Sequence, residues 1–150
     1  HTVGVSGTWT TVGNGDSNEL SITTGAPASS ASKYWIMCTV CHSEKNDNCI
    51  SFRLLDGSNA HIVRADAAGS RHRTFMGRGH FSTDASVYII EATSGSCLWS
   101  PASASAQTIK LQASNTVGTH QFFINRSTSD NDANWQDRAV STITVMEIAG

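Results

Sequence analysis

Apolar and polar residues alternate with a period of two in several short segments of this chain. In Cys49–Leu55, Ile50, Phe52 and Leu54 alternate with polar or charged neighbours. This spacing is typical of a β-strand with one buried face. The segment Lys33–Cys41 is rich in aromatic and β-favouring residues and contains neither glycine nor proline, so it predicts the strongest strand of the chain.

The same criteria predict ten strands. They cover residues 8–12, 20–23, 33–41, 49–55, 61–64, 73–81, 85–91, 107–113, 121–125 and 139–148. Turns are predicted between them, among others at Asp56-Gly57 and Ser94-Gly95-Ser96. No segment has a sustained apolar stripe of helical period. Strands separated by turns every eight to twelve residues or so are typical of an all-β sandwich or barrel.

The composition narrows the function classes. The 150 residues predict one domain, and their charged fraction of 15% is well below the ~25% of an ordinary soluble domain. The net charge of −2 comes without a basic stripe, so we expect no nucleic-acid partner. No apolar run approaches the roughly 18 residues of a membrane helix, so no membrane partner is expected. A start at His1-Thr2-Val3 indicates a processed, trimmed or fragmentary chain and leaves these three open.

The last predicted strand is apolar on both faces. One face carries Ile143 and Val145 together with Ala139, Ser141 and Glu147. The other face consists of Val140, Thr142, Thr144, Met146 and Ile148. A strand without a strongly polar face is usually covered on both sides. We therefore predict that the second set is a subunit interface, with a covering loop of the same chain as the alternative.

The four cysteines allow several interpretations. Cys41 and Cys49 flank a seven-residue polar turn, and we predict that they face each other across a hairpin as a disulfide candidate. Cys38 then lies on the apolar face of its strand as a small buried residue, and a bridge from Cys38 to Cys97 stays open. Residues three apart in a strand point to opposite faces, which argues against zinc held by Cys38 and Cys41, even with His42 nearby.

No motif for catalysis or for a cofactor is present. The six histidines lie outside any recognisable nucleophile motif, and the chain has no Gly-x-Ser-x-Gly, His-Glu-x-x-His or phosphate-binding glycine loop. The segment 129–137 alternates oxygen-bearing side chains but lacks the glycine and bidentate glutamate of a helix–loop–helix calcium site. We therefore expect a non-enzymatic protein without catalytic residues, metal or cofactor.

Two stretches resemble a known family. KYWIMCTVCHSEKNDNCISFRLLDGS and TIKLQASNTVGTHQFFINRS, followed by STITVMEI, resemble tumour-necrosis-factor-like jelly-roll domains of tailed-bacteriophage virion proteins. The resemblance covers residues 33–148, and residues 1–32 add N-terminal strands and a loop. It implies a two-sheet antiparallel jelly-roll sandwich of about ten strands, commonly a homotrimer with the C-terminal strand near the threefold axis. The cysteine content departs from the family's pattern.

These observations lead to three functional hypotheses. The first is a virion structural protein, either a capsid decoration (cement) protein or a head-fibre or tail component, which binds itself and the major capsid or tail proteins. Its location would be the virion. The second is a carbohydrate-binding, lectin-like module in which Trp99 and Trp135, in polar loops, stack on surface glycans. The third is an extracellular structural subunit of a cell surface.

Overall fold

A computed structural model of the chain describes residues 2–3, 8–13, 19–44, 48–80, 89–115, 121–134 and 136–150. All regular structure in these residues is β-strand. The eleven strands are β1 (Thr2–Val3), β2 (Thr10–Thr11), β3 (Ser21–Thr23), β4 (Lys33–Glu44), β5 (Asn48–Asp56), β6 (His61–Val63), β7 (Met76–His80), β8 (Glu91–Trp99), β9 (Thr108–Asn115), β10 (Phe122–Ile124) and β11 (Thr142–Ile148).

The strands form two antiparallel sheets. In the front sheet, β4 is central, with β8 along one edge and both β10 and β11 along the other, and β1 pairs with β10. In the back sheet, β9 and β5 are the central pair. The strands β2 and β3 extend the β9 side of this sheet, and β6 and β7 extend the β5 side.

The chain crosses repeatedly between the sheets. It moves from the back sheet to the front between β3 and β4, returns in β5, and crosses again at β8, β9 and β10. Two antiparallel sheets connected in this way form a jelly-roll sandwich. The all-β sandwich predicted from strand spacing is confirmed.

The core lies between the sheets and follows the period of two in each strand. The front sheet contributes Tyr34, Ile36, Cys38, Val40 and His42 from β4, and the residues between them face outward. The back sheet contributes Ile50, Phe52 and Leu54 from β5 and Ile109, Leu111 and Ala113 from β9. The alternation in Cys49–Leu55 therefore marks a half-buried strand, as predicted.

The predicted turn at Ser94-Gly95-Ser96 is wrong. These residues lie in the middle of β8 and pair with Met37, Cys38 and Thr39 of β4. A Cβ at Gly95 would stand 3.0 Å from Phe75 Cζ and 3.2 Å from Met76 Sδ. Glycine at this position therefore lets the Phe75 and Met76 side chains pack closely against β8. The strand predicted at 85–91 falls mainly outside the described residues, and only Glu91 belongs to β8.

The hairpin predicted between Lys33–Cys41 and Cys49–Leu55 is also wrong. These segments form β4 and β5, which belong to opposite sheets and do not pair. By contrast, the turn at Asp56-Gly57 does close a hairpin between β5 and β6. In that turn, the Asp56 N–H donates to the Ala60 carbonyl, and Asn59 adopts a φ of 66°.

The contact at Gly95 leads to a prediction about stability. We expect Gly95→Ala to lower the free energy of unfolding by about 1–3 kcal/mol, because the added methyl group must displace the Phe75 ring or the Met76 sulfur. Urea unfolding followed by circular dichroism measures this loss. Gly25→Ala is the matched control, since a Cβ at Gly25 meets nothing within 4 Å. Equal stability of the two variants would contradict the close-packing role of Gly95.

Candidate subunit interface

The two faces of β11 have different environments. Ile143 and Val145 point inward and pack against the core. The predicted interface residues, Val140, Thr142, Thr144, Met146 and Ile148, are all exposed. Val140 is 76% exposed, and Met146 and Ile148 are each 47% exposed. No described segment covers this side, so the covering-loop alternative finds no support in the described residues.

The register of the front sheet extends this apolar side across three strands. Met146 of β11 lies opposite Trp35 of β4, and Trp35 lies opposite Leu98 of β8. Two residues further along, Thr144 lies opposite Met37, which is 38% exposed, while Leu98 is 50% exposed. Methionine, tryptophan and leucine side chains therefore form one continuous row on the outside of the sheet.

We call this outer surface of β11, β4 and β8 the front face. It comprises Val140, Thr142, Thr144, Met146, Ile148, Trp35, Met37, Thr39, Cys41, Ala92, Ser94, Ser96 and Leu98, and one charged residue, Lys33, which lies opposite Ile148 at the end of β4. The hydroxyls of Thr39 and Ser94 hydrogen-bond to each other at 3.0 Å. The polar side chains in this part of the face are thus partly paired within it, which lowers the cost of removing them from water.

The area of the front face matches an interaction surface. Three strands spaced about 4.8 Å apart and about nine residues long cover on the order of 400 Å² in projection. Only part of this area is apolar, because threonines and serines lie among the apolar residues. Exposed apolar patches of a few hundred Å² on monomers are often functional. The area is about half of the roughly 800 Å² that each partner contributes to a standard interface, so a partner must also contact surfaces beside this face.

Glu147 holds a neighbouring loop against the end of β11. Its Oε1 accepts a hydrogen bond of 2.6 Å from the Ala28 N–H. A hydrogen bond from the Ser32 side chain and that from Ala28 lower the pKa of the Glu147 carboxyl. This carboxylate points to the other side of β11 from Met146 and Ile148, so its charge does not interrupt the front face.

The structure does not bring the disulfide candidates together. Cys41 lies on the outward side of β4, and its thiol donates a 3.5 Å hydrogen bond to the Val140 carbonyl. Cys49 belongs to β5 of the back sheet, and none of the four cysteines forms a disulfide. Packed sheets stand about 10 Å apart, beyond disulfide reach for residues on their outer sides. The geometry assumed for a Cys41–Cys49 bridge is therefore wrong.

The residues considered as zinc ligands also lie apart from one another. His42 faces the core while its neighbour Cys41 faces outward, so they cannot share one ion. His42 is fully buried, its Nε2 lies 2.8 Å from Thr93 Oγ1, and its Nδ1 lies 3.4 Å from the Glu44 carboxylate. Within the described ranges, no group of three or more histidine, cysteine or acidic side chains could hold a metal ion.

Of the two tryptophans predicted to stack on glycans, the structure describes only Trp99. Trp99 was expected in a polar loop, but it is the last residue of β8 and points inward. Its ring centroid lies 6.0 Å from that of Tyr34, and the side chain packs against the core. Trp135 lies outside the described residues.

The alternation of β11 predicts one strip of the front face, but it does not indicate the rest of the face. Trp35, Met37 and Leu98 join it only through the strand register, which one sequence does not specify. The outward positions of β8 are mostly alanine and serine, and that pattern concealed Leu98 at its end.

Comparisons with known proteins do not assign the chain to a family. No protein-family model matches it, and no curated protein matches it significantly. In the described part of the chain there is no α-helix that could cross a bilayer.

The core cysteines lead to a prediction about reactivity. Burial, followed by the neighbouring Cys97, raises the pKa of Cys38 to about 12. The thiolate is the reactive form, so Cys38 should resist iodoacetamide at about pH 8 in the folded protein and react after unfolding in urea. Peptide mass spectrometry measures this, with the half-buried Cys41 as the internal reference. Labelling of Cys38 as fast as Cys41 in the folded protein would contradict the placement.

Proposed function

We propose that this chain is a virion structural protein, a capsid decoration protein or a head-fibre or tail component, that assembles as a homotrimer through the front face. The observation that carries the proposal is the uncharged row Met146–Trp35–Leu98 exposed on the outside of the front sheet. Aromatic residues and methionine are enriched in interface cores, whereas charged residues are depleted there. The front face has this composition.

The size of the front face favours a ring rather than a dimer built from this surface alone. In a twofold dimer the same patch meets itself, so each subunit would bury only this patch of some 400 Å². In a threefold ring each subunit uses two different surfaces, and the front face of one meets an edge or loop of the next. That arrangement supplies the missing contact area.

The low charge of the chain and its resemblance to tumour-necrosis-factor-like virion domains support a location on a virus particle. A jelly roll also suits a protein displayed in many copies, because two sheets packed face to face limit uncontrolled strand pairing. A lectin-like function through Trp99 loses its support, because that ring packs against the core.

Assembly can be tested with one substitution in the apolar row. We expect the wild-type protein to show a mass about three times 16.0 kDa by light scattering. Leu98→Asp places a charge where the partner would bury leucine, which costs several kcal/mol if it stays unpaired, so this variant should be a 16.0 kDa monomer.

Ala104→Asp provides the control, because Ala104 is exposed in the loop before β9 and does not belong to the front face. It adds the same charge and should remain trimeric. Circular dichroism checks that both variants stay folded. A monomeric wild-type protein at high concentration, or a trimeric Leu98→Asp variant, would contradict assembly through this face.

The virion location needs a separate experiment. An antiserum raised against the purified protein should decorate phage particles from the source culture in negative-stain electron microscopy, at a regular position on the head or tail. Preimmune serum is the control. Absence of the protein from purified particles, measured by mass spectrometry, would reject the virion role even if the trimer forms.

A further inference from the structure

The outward side of the back sheet carries a guanidinium held in a fixed orientation. Arg53 of β5 lies directly opposite Gln112 of β9. Its Nε and Nη2 both donate to Gln112 Oε1, at 2.8 and 2.6 Å. The same guanidinium lies over the Trp9 ring, 4.4 Å from its centroid. A planar cation restrained by both a ring and an amide loses little entropy when it binds a further group.

Other cations surround this position. Arg73 Nε donates to the Ala65 carbonyl at 2.6 Å, which holds its side chain against the loop after β6. Desolvation, followed by the charges of Arg53, Arg64 and Arg73, lowers the pKa of His61. Arg64 directly follows Val63, which pairs with Leu54 of β5, so the sheet register sets Arg64 beside Arg53. We call Trp9, Arg53, Arg64, Arg73 and Gln112 the cationic cluster.

The arginines of the cluster form no direct ion pairs. Within the described parts of the chain, no ion pair involves Arg53, Arg64 or Arg73. The carboxylate of Asp56 is occupied in its own turn, where Oδ1 accepts hydrogen bonds from the Ser58 N–H, the Ser58 hydroxyl and the Ala60 N–H. A protein with a net charge of −2 thus concentrates unpaired guanidinium groups on one side.

The remaining groups of the cluster suit a sugar. Gln112 accepts through Oε1, which leaves the two N–H groups of its amide to donate to a hydroxyl. Arg53 covers one face of the half-buried Trp9, so the exposed His72, with its ring centroid 5.6 Å from that of Trp9, offers the aromatic surface for the C–H face of a sugar ring. The arginines supply the fork that recognises carboxylate, sulfate or phosphate oxygens.

We propose that the cationic cluster binds an anionic polysaccharide. A nucleic acid would need a longer track of positive charge than three arginines supply. An acidic peptide would match the charge and would accept hydrogen bonds from the Gln112 amide, but only a sugar ring adds a C–H face that packs on the aromatic surface. This site lies on the opposite side of the sandwich from the front face, so both surfaces can be occupied together.

The proposal is tested by binding to defined polymers at about 0.05 M salt, where charge contacts are weakly screened. Biolayer interferometry compares polygalacturonate, which carries carboxylates, with dextran sulfate and with neutral dextran. Poly-glutamate and single-stranded DNA represent the other polyanions. We expect binding to one or both acidic polysaccharides, with the tighter of the two identifying the preferred anion, and none to dextran.

Variants locate the binding site. Arg53→Gln should weaken polysaccharide binding by about tenfold or more, and Arg64→Gln by about threefold to tenfold, because each loses a charge-assisted hydrogen bond. Lys33→Gln removes the same charge from the front-sheet side and should bind as the wild type does. Polysaccharide should also change the tryptophan fluorescence of the wild-type protein, and Trp9→Phe should lose that change. Arg64 is exposed, so Arg64→Gln tests the site without affecting the core.

Three results would overturn the proposal. The first is equal binding of the wild type and of both arginine variants. The second is binding of neutral dextran at the level of the acidic polysaccharides. The third is binding of poly-glutamate or single-stranded DNA at least as tightly as the polysaccharides, which would indicate a general polyanion surface. The trimer test is independent, because Leu98→Asp leaves the cationic cluster intact and should retain polysaccharide binding.

Discussion

The alternation of side chains along β4 determines both the core and the proposed interface. This strand pairs with β8 over nine positions on one edge, and with β11 over seven and β10 over three on the other. Its inward side chains fill the core, and its outward Trp35 and Met37 join the apolar row. A shift of one residue would exchange the two sets. The buried side therefore fixes the register, and the register places Trp35 between Met146 and Leu98.

The period of two was sufficient to predict most strands and the all-β class. It failed at β8, because Ser-Gly-Ser has the composition of a turn and its contact with Phe75 is not visible in sequence. It also failed at the connection after β4. A polar segment between two strands can close a hairpin or cross to the opposite sheet, and the local sequence is compatible with both. The incorrect pairing of Cys41 and Cys49 followed directly from that ambiguity.

The candidate sites were predictable to different degrees. The outward side of β11 could be identified because a strand with no strongly polar face needs cover on both sides. The cationic cluster could not, because it joins Trp9, Arg53 and Gln112 from three distant segments through the order of the back sheet. In the sequence these residues are an isolated tryptophan, a strand arginine and a strand glutamine. Only the strand order of the sheet brings Trp9 and Gln112 next to the Arg53 guanidinium, which they restrain.

Binding to the two outer sides of the sandwich should depend differently on salt concentration. Contacts on the front face, whose only charged residue in the described part is Lys33 at the end of β4, depend mainly on removing apolar surface from water and change little with moderate salt. Contacts at the cationic cluster depend on charge and weaken as salt screens them. A subunit that uses its front face for assembly therefore keeps the back sheet exposed on the outside of the assembly. Three copies would present three cationic clusters, and their linkage would strengthen binding to a repeating polymer without any new contact.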